Sequence, residues 1–121
     1  MSQIEGARVF REAWIAGVLE HFPGEPKPSY ITPWEETPEW EREAAGSVYE
    51  QVRQFLDLSN GHASRLSREQ KGRFVATCWT AQMFKHFDDP KPGYVADWPD
   101  LPDWQKETDA DIFGAIEKSL H

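Results

Sequence analysis

Lys27-Pro28-Ser29-Tyr30-Ile31-Thr32-Pro33-Trp34-Glu35-Glu36-Thr37-Pro38-Glu39-Trp40-Glu41-Arg42 has a second version in the same chain, Lys91-Pro92-Gly93-Tyr94-Val95-Ala96-Asp97-Trp98-Pro99-Asp100-Leu101-Pro102-Asp103-Trp104-Gln105-Lys106. Both read Lys-Pro-x-Tyr, then Trp, then Pro-acid-Trp. Upstream, with one extra residue of offset, Ser2 meets Ser67, Arg8 meets Arg73, Trp14 meets Trp79, and His21-Phe22 meets His86-Phe87. Downstream, Glu43 meets Glu107. Residues 2–56 and 67–120 are therefore two copies of one unit, and every tryptophan belongs to a matched pair. Half of a 121-residue chain is too short to bury a stable core alone. The reading is one domain over 1–121, with repeat one at 2–58, a linker at 59–66 and repeat two at 67–121, packed together with pseudo-two-fold symmetry.

The flanks of the quoted stretches carry helix signals. Ser2-x-x-Glu5 has capping-box spacing, and Ala7, Phe10, Trp14 and Val18 recur at intervals of three and four. This first helix ends near His21-Phe22, because Pro23, Gly24, Pro26 and Pro28 cannot sustain its hydrogen bonding. Pro38 suits the first turn of a second helix, with Ala45, Val48, Val52 and Phe55 as its buried stripe and Asn60-Gly61 as its stop. Ser67-x-x-Gln70 restarts the programme, Val75, Trp79 and Met83 repeat the stripe, and Asp89-Pro90-Lys91-Pro92 breaks it. Pro102 opens the last helix, whose stripe is Ile112, Ala115, Ile116 and Leu120. No β period is visible. The expected fold is mainly α, a duplicated helix, extended arm and helix giving four helices and two aromatic-rich arms.

Six Trp, three Tyr and seven Phe supply core material within a polar chain of mean hydropathy -0.71. A net charge of -8 and a pI near 4.9 argue against a nucleic-acid polymer or an anionic membrane as partner, since both need a basic face. Cys78 is the sole cysteine, and the N-terminus has no apolar run that reads as a signal or anchor, so a cytoplasmic location is expected.

The arms carry the chemistry. Proline stiffens them, so their rings can be presented at low ordering cost. Tyrosine and tryptophan faces stack on planar rings, and a nearby Lys or Arg holds a phosphate. Extended aromatic arms also serve simply to cap the open end of a helix pair. The retained cations are Arg8 and Arg73, Lys27 and Lys91, and Arg42 and Lys106. Arg42 follows Glu39 by three, and Lys106 follows Asp103 by three, the spacing of ordinary helix-surface pairs. Lys27 and Lys91 have no such helical partner. The candidate ligand-binding set is Lys27, Tyr30, Trp34, Arg42, Lys91, Tyr94, Trp98 and Lys106.

His21 and His86 end their helices, where an imidazolium suits the negative terminus. A metal would need further ligands, and Pro23 and Gly24 follow His21 where Asp88 and Asp89 follow His86, so no metal site is expected. No Gly-rich phosphate loop, zinc-protease motif or nucleophile elbow is present. No catalytic residue and no cofactor is expected. Glu43 and Glu107 read as solvated helix-surface carboxylates.

The stretch from Lys27 to Arg42 resembles the ryanodine-receptor repeat domain. In the first copy Trp14, Pro28, Pro33-Trp34 and Pro38-Glu39-x-Glu41-Arg42 match that pattern, and in the second Trp79, Pro92, Trp98, Leu101-Pro102-Asp103 and Lys106 match it. Lys27 and Lys91 stand where the family usually has His, and the segment after the first helix differs. The resemblance implies paired, mainly helical repeats without catalytic residues, found in calcium-release channels and in small stand-alone bacterial and phage proteins. It implies a ligand-binding or interaction module, with adenine nucleotides among the candidate ligands. The function expected is a non-enzymatic binding module for a small planar anionic ligand, a nucleotide or cyclic nucleotide signal, acting as a sensor or a sequestering protein. The alternative is a protein-interaction module whose aromatic arms meet a partner or a second copy. A third reading, nucleotide hydrolysis through His21 and His86, stands last.

Overall fold

The computed structural model describes residues 2–121, and its element order repeats: helix, two short 3-10 turns, helix, twice over. The helices are α1 (Gln3–His21), α2 (Glu39–Leu58), α3 (Arg68–His86) and α4 (Asp103–Ser119). No strand occurs among the described residues, and none of their helices is long and apolar enough to cross a membrane. The protein is mainly α.

Both capping boxes form. The Glu5 N–H donates to Ser2 Oγ at 3.2 Å and the Ser2 N–H to Glu5 Oε1 at 3.2 Å, while the Gln70 and Ser67 pair repeats this at 3.1 and 2.9 Å. Each box satisfies two amide donors that the first helical turn leaves without partners. Pro38 and Pro102 stand one position before their helices, as the N-cap residues. The linker turns through Asn60 (φ 53°) and Gly61 (φ 82°), then makes a 3-10 turn (His62–Arg65) that buries Ala63.

The arms are less extended than expected. Residues 22–38 contain 3-10 turns at Pro28–Ile31 and Trp34–Glu36, and residues 87–102 contain them at Pro92–Tyr94 and Trp98–Asp100. The lysine just ahead of each proline starts the first turn. Its carbonyl accepts from the tyrosine N–H, Lys27 from Tyr30 and Lys91 from Tyr94, both at 2.9 Å. Proline fixes φ at the first position of such a turn, so the Lys-Pro-x-Tyr sequence favours it.

The core draws on all four helices: Ala7 and Phe10 of α1, Ala45, Val48, Tyr49 and Val52 of α2, Val75 and Cys78 of α3, and Ile112, Phe113 and Ile116 of α4. α1 packs against α2 and α4, and α3 against α4 and α2, so the two repeats share one core. The α1–α4 crossing is close because Gly17 faces the fully buried Thr108. A Cβ at Gly17 would stand 2.6 Å from the Thr108 methyl.

Candidate functional site

The aromatic residues of the two repeats are exchanged. Trp104, at the start of α4 in repeat two, packs edge-on against Phe22 of arm one at 5.0 Å between ring centroids. Its counterpart Trp40, at the start of α2 in repeat one, packs edge-on against Phe87 of arm two at 5.0 Å. Phe22 then meets Tyr30 at 6.0 Å, and Phe87 meets Tyr94 at 6.2 Å. Each helix start thus clamps the other repeat's arm.

Arm one is the more heavily packed. Trp14 Nε1–H donates to the Tyr30 carbonyl at 2.9 Å, and Trp14 and Tyr30 both stand within 5.8 Å of the Trp104 ring. Arg11, only 5% exposed, nails the same arm to α1. Its guanidinium donates to the carbonyl oxygens of Thr32 (2.8 and 3.1 Å) and Ser29 (3.2 Å), and to Glu41 Oε2 at 3.2 Å. Burial lowers the Arg11 pKa and raises that of Glu41, each only partly offset by the partner's charge. Ala76 and Gln105 hold the corresponding positions of repeat two, so arm two has no such anchor. Tyr94 is accordingly 38% exposed.

Between the arms lies a cavity of about 540 Å³. Both repeats line it with equivalent residues: Trp14 and Trp79, Lys27 and Lys91, Tyr30 and Tyr94, Trp40 and Trp104. Phe10 and Trp79, stacked at 5.6 Å, form another part of the wall. Lys27 Nζ lies 5.9 Å from the Tyr30 ring centroid, and Lys91 Nζ lies 5.9 Å from that of Tyr94. Both lysines are exposed, and among the described residues neither has a carboxylate within salt-bridge distance.

The candidate residues divide. Lys27, Tyr30, Trp34, Lys91 and Tyr94 come together in the cavity wall, whereas Arg42, Trp98 and Lys106 stand outside it. Arg42 does not pair with Glu39 as their spacing suggests. It folds back on its own arm, donating to the carbonyls of Thr37 (2.9 Å), Trp34 (2.8 Å) and Glu35 (2.7 Å), with its guanidinium 4.9 Å from the Trp34 ring centroid. Trp98 is buried over Gly72, where a Cβ would come within 2.6 Å of the indole, and its Nε1–H donates to Glu69 at 3.3 Å. Lys106 lies over that indole at 5.8 Å.

Neither histidine lines the cavity. His21 Nε2 is 2.8 Å from Asp111 Oδ2, while Arg68 donates to Asp111 Oδ1 and Glu107 Oε2, both at 3.0 Å. Glu20, His21 and Asp111 are close enough together to be compared with a metal site, but Arg68 already neutralises the carboxylate that would anchor one. His86 sits against Trp40 at 6.0 Å, with Nε2 buried and unpartnered.

Several wall residues lie outside the set expected from the sequence, Arg11 and Asp109 among them. Asp109 is 5% exposed, and its Oδ2 is buried without a hydrogen-bond partner. Burial alone holds its pKa well above the ordinary carboxylate range. Repeat one has Ala45 at the equivalent place, also in the cavity wall. Both residues break the internal repeat, so a search for what the two halves share passes over them. Comparison with protein-family models, with curated proteins and with solved structures finds no match to this chain.

Proposed function

We propose that the protein is a non-enzymatic binding module for one small, planar, anionic ligand, a nucleotide or cyclic nucleotide signal, which it senses or sequesters. The observation that carries this reading is the cavity between the repeats, with Trp14, Tyr30, Trp79, Tyr94, Trp104, Lys27 and Lys91 in its wall. Its volume falls in the range of about 300–1,000 Å³ common to small-molecule sites. Indole and phenol faces stack on a base, at about 1–3 kcal/mol per base. Two lysines without carboxylate partners supply charge for phosphate in a chain whose net charge is otherwise -8. The pairing of wall residues suits a ligand with two similar ends on a pseudo-two-fold axis, and cyclic dinucleotides have that form. The resemblance to the ryanodine-receptor repeat supports the same class.

Thermal unfolding followed by tryptophan fluorescence, against linear and cyclic nucleotides, tests the reading. A ligand at a hundred times its dissociation constant adds about 2.7 kcal/mol to stability. Lys27→Ala with Lys91→Ala should abolish that gain while leaving the unliganded melting temperature unchanged. If the double variant binds as well as the parent, the lysines hold no phosphate.

A second reading is favoured by a groove outside the cavity, lined by Ile15, Ala16, Leu19, Ile31, Pro33 and Trp34, in which Leu19 is 63% exposed. Such a strip suits a protein partner or a second copy of the chain. Light scattering separates the two readings, since only the second requires a change of mass.

A further inference from the structure

We propose that the Asp109 carboxyl is the specificity-determining group of the cavity, taking the hydrogen-bonding edge of an amino-substituted nitrogen heterocycle whose ring nitrogen and exocyclic amino group lie side by side. This inference rests on the nucleotide reading of the same cavity and names the class of base it takes.

Three observations support it. First, Asp109 lines the cavity, and the protein supplies its buried Oδ2 with no partner. A buried polar oxygen without a partner is destabilising, and a donor or acceptor group arriving from outside would satisfy it. Second, the fold does not need a carboxyl there. Ala45, the equivalent residue of repeat one, occupies the same wall with 3% exposure and no polar atom in its side chain. Third, no cation compensates Asp109 among the described residues. The one buried guanidinium of the wall, that of Arg11, is committed to Glu41 and to two arm carbonyls.

The chemistry of the partner follows. Burial without a cation favours the protonated acid, which presents one O–H donor and one carbonyl acceptor. The complement is an adjacent acceptor and donor pair, as on the adenine or cytosine edge. A guanine edge, with two adjacent N–H donors, would instead require the ionised form. Because Oδ2 is buried in the unliganded protein, binding turns the Asp109 side chain so that both oxygens reach the base. The surrounding rings hold the base in plane, and the lysines take its phosphate.

The test is calorimetric titration of the intact protein with AMP, CMP, GMP and purine riboside monophosphate, which lacks the amino group. Parallel titrations use free adenine and unsubstituted purine, which carry no phosphate. Asp109→Asn keeps a donor and an acceptor and should bind AMP or CMP within about threefold of the parent, whereas Asp109→Leu should lose about ten- to a hundredfold. Purine riboside monophosphate should bind the parent as weakly as AMP binds Asp109→Leu. Far-UV circular dichroism and an unfolding midpoint verify that each variant is folded. Equal AMP affinity in parent and folded Asp109→Leu would overturn the inference and leave the nucleotide reading standing. Preference for GMP, lost in Asp109→Asn, would also overturn it. If the nucleotides fail but adenine binds in an Asp109-dependent way while purine does not, the inference holds and the phosphate half of the functional reading falls. Failure of these nucleotides and of adenine overturns the inference, and failure of the cyclic nucleotides in the thermal screen as well overturns the nucleotide reading.

Discussion

Replacing Arg11 by Met should cost about 3 kcal/mol, because it removes four hydrogen bonds from a buried guanidinium. The guanidinium, with a side chain 7% exposed, donates to the Thr32 carbonyl twice, to Ser29 and to Glu41, at 2.8–3.2 Å. Bonds to a charged group contribute about 1.5–3 kcal/mol each, so simple addition would give a value near the whole stability of a domain this size. Three effects reduce the total. Methionine keeps the apolar contacts of the stem, Glu41 is 23% exposed and can recruit water, and burial already pushes the Glu41 carboxyl toward taking up a proton. The loss then sits at the low end of the 3–5 kcal/mol typical of breaking a buried pair. For a chain of this length it corresponds to a fall of about 12 °C in melting temperature, at roughly 4 °C per kcal/mol.

Urea and thermal unfolding by far-UV circular dichroism measure this directly. The double variant Arg11→Met, Glu41→Leu should recover part of the loss, since it leaves no buried carboxylate, but not all of it, because the Ser29 and Thr32 carbonyls stay unpaired. A loss below about 1 kcal/mol for Arg11→Met, with the cooperativity of unfolding unchanged, would refute the view that this side chain anchors arm one.

Four further outcomes are expected. Asp109 keeps its proton in the folded state to a higher pH than in the unfolded chain, where it ionises near pH 3.9. The folded state binds more protons across that interval, so its stability should fall as pH rises above about 4, and Asp109→Asn should flatten that part of a urea-midpoint profile. Tyr49→Phe removes a buried hydroxyl that has no partner, so the urea midpoint should stay level or correspond to about 1 kcal/mol more stability; a loss beyond that size would mean the hydroxyl is satisfied. Gly17→Ala drives a Cβ to 2.6 Å from the Thr108 methyl at the α1–α4 crossing and should cost about 1–3 kcal/mol in the same assay. Burial pushes the Cys78 thiol up to about 11, so an aromatic disulfide reagent at pH 8 should react only as fast as the protein opens, and fast labelling under native conditions would contradict its place in the core.

Local chemistry made much of the fold legible. Ser2-x-x-Glu5 and Ser67-x-x-Gln70 need only residues within one turn to form their boxes, and both boxes are present. Helix ends near His21 and His86 follow from the prolines that come after them, which remove backbone donors wherever they stand. The 3-10 turns were less visible, because Lys-Pro-x-Tyr is compatible with both an extended strand and a tight turn until the arm packs.

The sequence by itself determined the helical class, the two capped starts, and the residues that the halves hold in common, because propensity, capping and internal repetition act over a few residues or can be counted directly. Only the tertiary structure decided which of the paired residues meet. Trp34 and Trp98 are equivalent in sequence, yet Trp34 reaches the cavity while Trp98 is buried over Gly72, a residue 26 positions away. Arg42, three residues from Glu39, turns instead to three carbonyls of its own arm, two of them partly buried, since acceptors withdrawn from water gain more from a guanidinium than an exposed carboxylate does. Asp109 could not be singled out from the chain, where it is one of 21 acidic residues. Its difference lies in what surrounds it: helix packing withdraws it from water, and the folded protein gives its buried oxygen no partner.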